Sequence, residues 1–75
     1  MELEHAFGQT IRRLRYEAGL SQEALAHSSG LDRSYLSELE NAHKSASIRT
    51  LFSIARALEI SASELIGAVE KEFEQ

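Results

Sequence analysis

The residue types that most often carry out catalysis or bind metals occur in this sequence without the spacing such sites need. There is no cysteine, and the three histidines (His5, His27 and His43) are spread along the chain without metal-ligand spacing. Serines are numerous, yet none belongs to a nucleophile elbow or a phosphate-binding loop. The sequence therefore predicts no enzymatic activity, no metal site and no cofactor.

Another kind of chemistry is suggested by four polar residues on one face of a predicted helix: Arg33, Ser34, Ser37 and Glu38. Leu36 and Leu39 occupy the inward positions of the same helix. Arginine can donate two hydrogen bonds to O6 and N7 of guanine, serine can contact most bases, and glutamate can accept from N4 of cytosine. The outward face of this helix therefore carries the residue types that read base edges in a major groove.

Capping residues and apolar periodicity divide the chain into helices that would position this face. The absence of proline and the presence of only four glycines favour an all-α protein. The predicted helices are residues 2–18, 22–28, 33–41, 48–58 and a fifth helix after Ser61. The predicted N-caps are Ser21, Asp32, Ser47 and Ser61, the last forming a capping box with Glu64.

The first helix carries one predicted apolar stripe: Leu3, Phe7, Ile11, Leu14 and Ala18. The stripe of the fourth helix is Leu51, Ile54, Ala55 and Leu58. We expect Gly8 to permit close helix packing, because a mid-helix glycine costs about 1 kcal/mol relative to alanine. Gly19 and Gly30 are expected to end helices or form turns, Gly19 in the left-handed conformation.

Length and charge place this helical chain among small globular domains. Its 75 residues form one predicted domain, and the net charge of −4 argues mildly against a nucleic-acid partner. However, residues 5–58 contain seven bases and five acids, a net charge of +2, and the acidity lies in the two ends. No apolar run could span a membrane and the first residues lack a signal peptide, so a cytoplasmic location is expected.

The order of these elements resembles the Xre/lambda-repressor-like helix-turn-helix family. The resemblance rests on residues 20–26, 30–31 and 35–41 and extends over about residues 6–66. Further matching positions are Gly8, Ile11, Arg12, Leu14, Arg15, Leu51, residues 55–58 and residues 61–65. Within the family, residues 31–37 and the small size are most similar to controller proteins of restriction–modification systems.

The resemblance implies a five-helix bundle whose second and third helices form the helix-turn-helix. It implies a sequence-specific transcriptional regulator, a homodimer on an inverted-repeat DNA operator that controls restriction–modification genes, including its own. The alternatives are an antitoxin-type or phage-type Xre repressor, or a protein-interaction module that has lost DNA binding. Five short helices leave little room for a small-molecule ligand.

Site residues are carried over from the family position by position. The base-reading positions are Arg33, Ser34, Ser37 and Glu38. The phosphate-contacting positions are Gln22, Tyr35, His43, Lys44, Ser45, Ser47 and Arg49. Gln22 is also expected to buttress the reading helix, and Glu40 to bond within the fold to Arg12 or Arg15. Ala42 stands where many relatives have glycine, so either Ala42 is strained or Asn41 takes the turn.

The last helix and one residue of the fourth suggest a dimer interface. Leu65 and Ile66 are expected to cover the core, whereas Val69 and Phe73 are expected to extend beyond it. Phe52 lies off the apolar stripe of the fourth helix. The predicted interface residues are Phe52, Ile66, Val69 and Phe73, with residues 61–75 contributing a dimerisation helix.

Overall fold

The computed structural model describes residues 1–75 as a bundle of five helices without strands. The helices are α1 (Leu3–Glu17), α2 (Gln22–Ser29), α3 (Arg33–Glu40), α4 (Ile48–Ala57) and α5 (Ala62–Phe73). Each lies within one residue of its predicted start and end where both were predicted. No helix combines the length and apolar character needed to cross a bilayer.

Side-chain caps begin three of the helices as the sequence predicted. The hydroxyls of Ser21, Ser47 and Ser61 accept hydrogen bonds from backbone N–H groups of α2, α4 and α5. Glu64 completes the capping box at α5. Asp32 is the N-cap residue of α3 as predicted, but its side chain accepts no hydrogen bond from the backbone of the first turn. Asp32 is exposed, so water can satisfy the free N–H groups of the first turn.

Four residues between helices adopt the left-handed conformation. Gly19 and Gly30 have φ angles of 72° and 73°, in agreement with the turns expected there. Ala42 has φ 62° while Asn41 has φ −96°, so Ala42 carries the strained turn after α3. Glu59 has φ 60° after α4, a turn without a glycine to signal it in the sequence.

The core is formed where α1 packs against α3 and α5, and α2 packs against α3 and α4. Its largest fully buried apolar side chains are Ile11, Leu25, Leu36, Leu39, Ile54 and Leu65. The predicted α1 stripe is correct in its middle but not at its ends, because Leu3 is 54% exposed and Ala18 is also exposed. The sequence prediction omitted Ala6 and Thr10, which are fully buried on α1.

Gly8 explains how closely α1 approaches the end of α3. A Cβ atom at this position would lie 2.5 Å from the backbone oxygen of Glu40 and 2.6 Å from that of Leu39. Both contacts are with backbone, which cannot move aside as a flexible side chain can. The expectation that Gly8 permits close packing is confirmed.

Candidate nucleic-acid interface

Helix α3 has one buried face and one face open to solvent. Leu36 and Leu39 are fully buried. On the opposite side, Arg33 and Ser34 are exposed, and Ser37 and Glu38 are partly exposed. The structure therefore brings all four predicted base-reading residues together on one accessible face, with the first turn of α3 the most open part.

A buried ion pair fixes the C-terminal end of α3 to α1. Glu40 accepts hydrogen bonds from Arg15, with Nε to Oε2 at 2.7 Å and Nη2 to Oε1 at 3.0 Å. The side chains of Arg15 and Glu40 are only 6% and 0% exposed. A third N–H of Arg15 donates to the backbone oxygen of Leu20 at 2.9 Å, so the guanidinium also fixes the chain between α1 and α2. This forked geometry pins the orientation of α3.

Two further residues, from α2 and α1, extend this network toward the surface. Gln22 donates from Nε2 to Oε1 of Glu40 at 3.0 Å, which confirms that it buttresses α3 from the start of α2. Arg12 donates from Nε to Oε1 of Glu40 at 3.4 Å and from Nη2 to Oδ1 of Asn41 at 3.1 Å. The expected internal role of Glu40 is thus confirmed with both predicted arginine partners. The second amide N–H of Gln22 remains free for an outside acceptor.

The network also sets the protonation of its two central groups. Burial alone would raise the pKa of Glu40, but hydrogen bonds from Arg15 and Gln22 and the charge of Arg15 lower that pKa below its ordinary value. The hydrogen bond to Glu40 raises the pKa of Arg15 despite the opposing effect of burial. Both shifts favour the charged forms, so Arg15 and Glu40 form an ion pair at neutral pH.

The predicted phosphate-contacting residues lie in the segments before, within and after α3. Arg33 borders the same concave surface as Gln22 and Ser21 at the start of α2. Tyr35 is half-buried and packs against the core. The remaining residues belong to the loop after α3 or to the first turn of α4, and all are exposed: His43, Lys44, Ser45, Ser47 and Arg49.

Two serines of this set have partners within the protein. Ser45 donates to Oε2 of Glu4 at 3.1 Å, which ties the loop to α1. Ser47 is the N-cap of α4, and its hydroxyl also contacts Thr50 at 3.0 Å. These bonds order the loop that leads to Arg49 in the first turn of α4.

The cations divide into those with acidic partners and those without. Besides Arg12 and Arg15, two cations form exposed pairs: Arg13 with Glu17 at 3.3 Å and Lys44 with Glu38 at 3.6 Å. The other four form no ion pair: Arg33, Arg49, Arg56 and Lys71. Arg33 in the first turn of α3 and Arg49 in the first turn of α4 are therefore available to an anionic partner.

The exposed apolar residues lie mainly on α4 and α5. Phe52, Ile66 and Phe73 are 57%, 49% and 44% exposed, so Ile66 does not cover the core as expected. Val69 is only 6% exposed, and the prediction that it extends beyond the core is wrong because α5 packs along α1 at this point. The sequence prediction omitted Ile48, which is 75% exposed one turn before Phe52.

A small apolar groove lies between α1, α4 and α5. Its volume is about 230 Å³, and its lining includes Leu3, Phe7, Leu51 and Ile66. This volume is below the range of about 300–1,000 Å³ that is usual for ligand pockets.

Comparison with known proteins shows that residues 11–65 match a family described as helix-turn-helix. The control protein C.MunI of a Mycoplasma species is 39% identical over 95% of this chain and 97% of its own length. The crystal structure of the restriction-modification controller protein C.AhdI from Aeromonas hydrophila has a TM-score of 0.80 and 45% identity, over 83% of this chain and 94% of that one.

A second solved structure covers the whole of this chain and 99% of its own. It is the restriction-modification controller protein C.Esp1396I, crystallised as a tetramer in complex with its natural 35 base-pair operator. The TM-score is 0.91 and the sequences are 32% identical.

Proposed function

The chain belongs to the helix-turn-helix family, and we propose that it is a sequence-specific transcriptional regulator controlling restriction–modification genes, including its own. In this proposal it binds an inverted-repeat DNA operator as a homodimer. Its family consists of DNA-binding regulators rather than enzymes, and the protein acts by occupying DNA in the cytoplasm. The similarity to C.MunI and C.AhdI over most of each chain supports the restriction–modification assignment.

The observation that carries the proposal is the asymmetry of α3. One side is held to α1 and α2 by the Glu40 network, while the other presents polar side chains to solvent. A rigid helix with a free polar face is what a major groove accepts, and the first turn of such a helix contacts base edges. Arg33 lies in that turn and has no acidic partner.

The neighbouring residues would hold the duplex in register through its phosphates. Gln22 lies at the start of α2, Lys44 in the loop after α3, and Arg49 in the first turn of α4. Tyr35, His43, Ser45 and Ser47 complete the proposed phosphate-contacting set. Contacts of this kind position the protein without specifying sequence.

Dimerisation is proposed through the apolar residues exposed on α4 and α5. Phe52, Ile66 and Phe73 are each close to half exposed, and residues 61–75 would supply the dimerisation helix. A single reading helix buries too little area for tight specific binding, whereas a two-fold dimer reads half-sites about 34–36 Å apart. The similar protein C.Esp1396I was crystallised as a tetramer in complex with its operator, which supports an oligomer on DNA.

The test of DNA recognition is selection of duplexes from a random pool, followed by titration of the selected duplex. We expect a two-fold symmetric motif. Arg33→Ala should weaken the selected duplex by about 1–3 kcal/mol and affect random duplex less. Arg13→Ala is the matched control, because it removes one positive charge from an exposed position of α1 that belongs to neither the proposed DNA-contacting set nor the proposed dimer interface.

Equal losses for Arg33→Ala on selected and random duplexes would remove Arg33 from the base-reading set. Selection without any enriched motif would favour the protein-interaction module instead, and a partner search would follow.

The test of the dimer is sedimentation velocity at micromolar concentration. Phe52→Glu and Phe73→Glu should shift the protein toward monomer, because each places a charge in an apolar contact. Gln9→Glu is the matched control, since it adds the same charge at an exposed position of α1. An unchanged dimer in both phenylalanine variants would contradict the proposed interface.

A further inference from the structure

Helix α3 carries two acids near its end that have different environments. Glu40 is buried with several partners, whereas Glu38 faces the open side and has one charged partner, Lys44. Nζ of Lys44 lies 3.6 Å from Oε1 of Glu38, with the two side chains 55% and 41% exposed. Lys44 belongs to the proposed phosphate-contacting loop and Glu38 to the base-reading face, so one ion pair joins the two sets.

The backbone of the loop accounts for this juxtaposition. His43 N–H donates to the backbone oxygen of Glu38 at 2.8 Å, and Ala42 N–H donates to that of Leu39 at 3.2 Å. The left-handed turn at Ala42 reverses the chain at this point. Lys44 is therefore returned toward the side chain of Glu38 by hydrogen-bonded backbone, so that their approach does not depend on the ion pair alone.

A carboxylate on this face is attracted to some base edges in the major groove and repelled by others. Its oxygens only accept hydrogen bonds, so they are repelled by phosphates and by the acceptor atoms of guanine and thymine. In the major groove, the donors that suit a carboxylate are the exocyclic amino groups, of which N4 of cytosine is the usual partner of glutamate. On duplexes without a donor at that position, the only favourable partner of Glu38 is Lys44.

We infer that Glu38 reduces binding to non-cognate DNA. Its carboxylate pairs with Lys44 and so keeps Lys44 from the phosphate backbone. When a hydrogen-bond donor on a base binds the carboxylate of Glu38, Lys44 is released and can contact a phosphate. This inference rests on the proposed function. An exposed ion pair is weak, so it can exchange partners when the duplex docks. Base identity at one position is thereby coupled to a phosphate contact at another.

The test is a double-mutant cycle on DNA affinity, with wild type, Glu38→Gln, Lys44→Gln and the double variant. Each protein is titrated with the duplex selected by the wild type and with a random-sequence duplex, at several salt concentrations. Glu17→Gln is the matched control, because it releases Arg13 from a similar exposed pair, at 3.3 Å, on α1. Both altered acids are solvent-accessible, and circular dichroism checks that every variant is folded.

We expect Glu38→Gln to bind random duplex several-fold more tightly and to lose several-fold in its preference for the selected duplex. Because Lys44 is then free to displace counterions, the slope of log affinity against log salt on random duplex should steepen by about 0.9. Both changes on random duplex should disappear when Lys44→Gln is added. Glu17→Gln should leave the preference for the selected duplex unchanged.

Additive effects of Glu38→Gln and Lys44→Gln on random duplex would overturn the inference, as would an equal loss of preference in Glu17→Gln. Those results would leave the proposed function intact, because the wild type would still prefer its selected duplex. A wild type that binds no duplex would overturn the proposed function together with this inference.

Discussion

Replacing Glu40 with alanine should remove a large part of the stability of this protein. The Glu40 side chain is fully buried and accepts two hydrogen bonds from Arg15, one from Gln22 and one from Arg12. In Glu40→Ala, the guanidinium of Arg15, which is 6% exposed in the wild type, loses both carboxylate bonds and keeps only the backbone oxygen of Leu20 and the ring of Tyr16, 4.7 Å away, as partners. Breaking a buried pair from one side costs about 3–5 kcal/mol.

That loss is large compared with the whole stability of the domain. At about 0.05–0.15 kcal/mol per residue, a chain of this length has a free energy of unfolding of roughly 4–11 kcal/mol. The measurement is urea unfolding followed by circular dichroism, in which a loss of stability lowers the midpoint at constant slope. Glu40→Gln is the milder variant, because its amide oxygen can still accept from Arg15.

Two further variants isolate the cause. Glu17→Ala removes an acid from the exposed pair with Arg13 and should cost no more than about 1 kcal/mol. Replacing both Arg15 and Glu40 with methionine removes the unpaired charge and should recover most of the stability, because apolar residues of similar volume often replace a buried pair without loss.

A cost for Glu40→Ala no greater than that of Glu17→Ala would refute a stabilising role for the buried pair. A double methionine variant as unstable as Glu40→Ala would refute the assigned cause, because the loss could not then come from an unpaired guanidinium.

Three other outcomes are expected in the same unfolding assay. Gly8→Ala should destabilise the protein by about 1–3 kcal/mol, because the new Cβ overpacks against backbone atoms. Gly67→Ala, which has nothing within 4 Å of the new Cβ, should stabilise it by about 0.5–1 kcal/mol. Equal effects of the two variants would contradict the close packing of α1 on α3. Ala42→Gly should stabilise by up to about 1 kcal/mol because it relieves a left-handed φ of 62°, and a clear loss would contradict strain at that turn. The pKa of Glu40 is lower in the folded chain than in the unfolded chain, so ionised Glu40 adds to the free energy of unfolding. This contribution is complete above the unfolded glutamate pKa of about 4.3, and it is lost as the pH falls through the folded-state pKa. Unfolding midpoints measured from pH 6 to pH 2 should therefore fall less in Glu40→Gln than in the wild type, and parallel curves would exclude this origin.

Local patterns in the sequence determined the helices and the orientation of α3. Ser21, Ser47 and Ser61 could be assigned as caps because an N-cap bonds to a backbone N–H only two or three residues away. Leu36 and Leu39 indicated the buried side of α3, and the polar residues between and beside them indicated its open side. These features depend on neighbours within one or two helical turns, which a sequence displays directly.

Tertiary structure decided the features that depend on which helices meet. The family resemblance left Arg12 and Arg15 open as partners of Glu40, and Arg15 is the buried one because its side of α1 meets the end of α3. Val69 belongs to the core because α5 packs along α1 to that point, a distance that periodicity does not encode. The pairing of Glu38 with Lys44 likewise depends on a chain reversal at Ala42, a residue without the usual glycine signal. Helix ends are determined by short-range hydrogen bonds, whereas burial and ion pairing depend on contacts between residues distant in sequence.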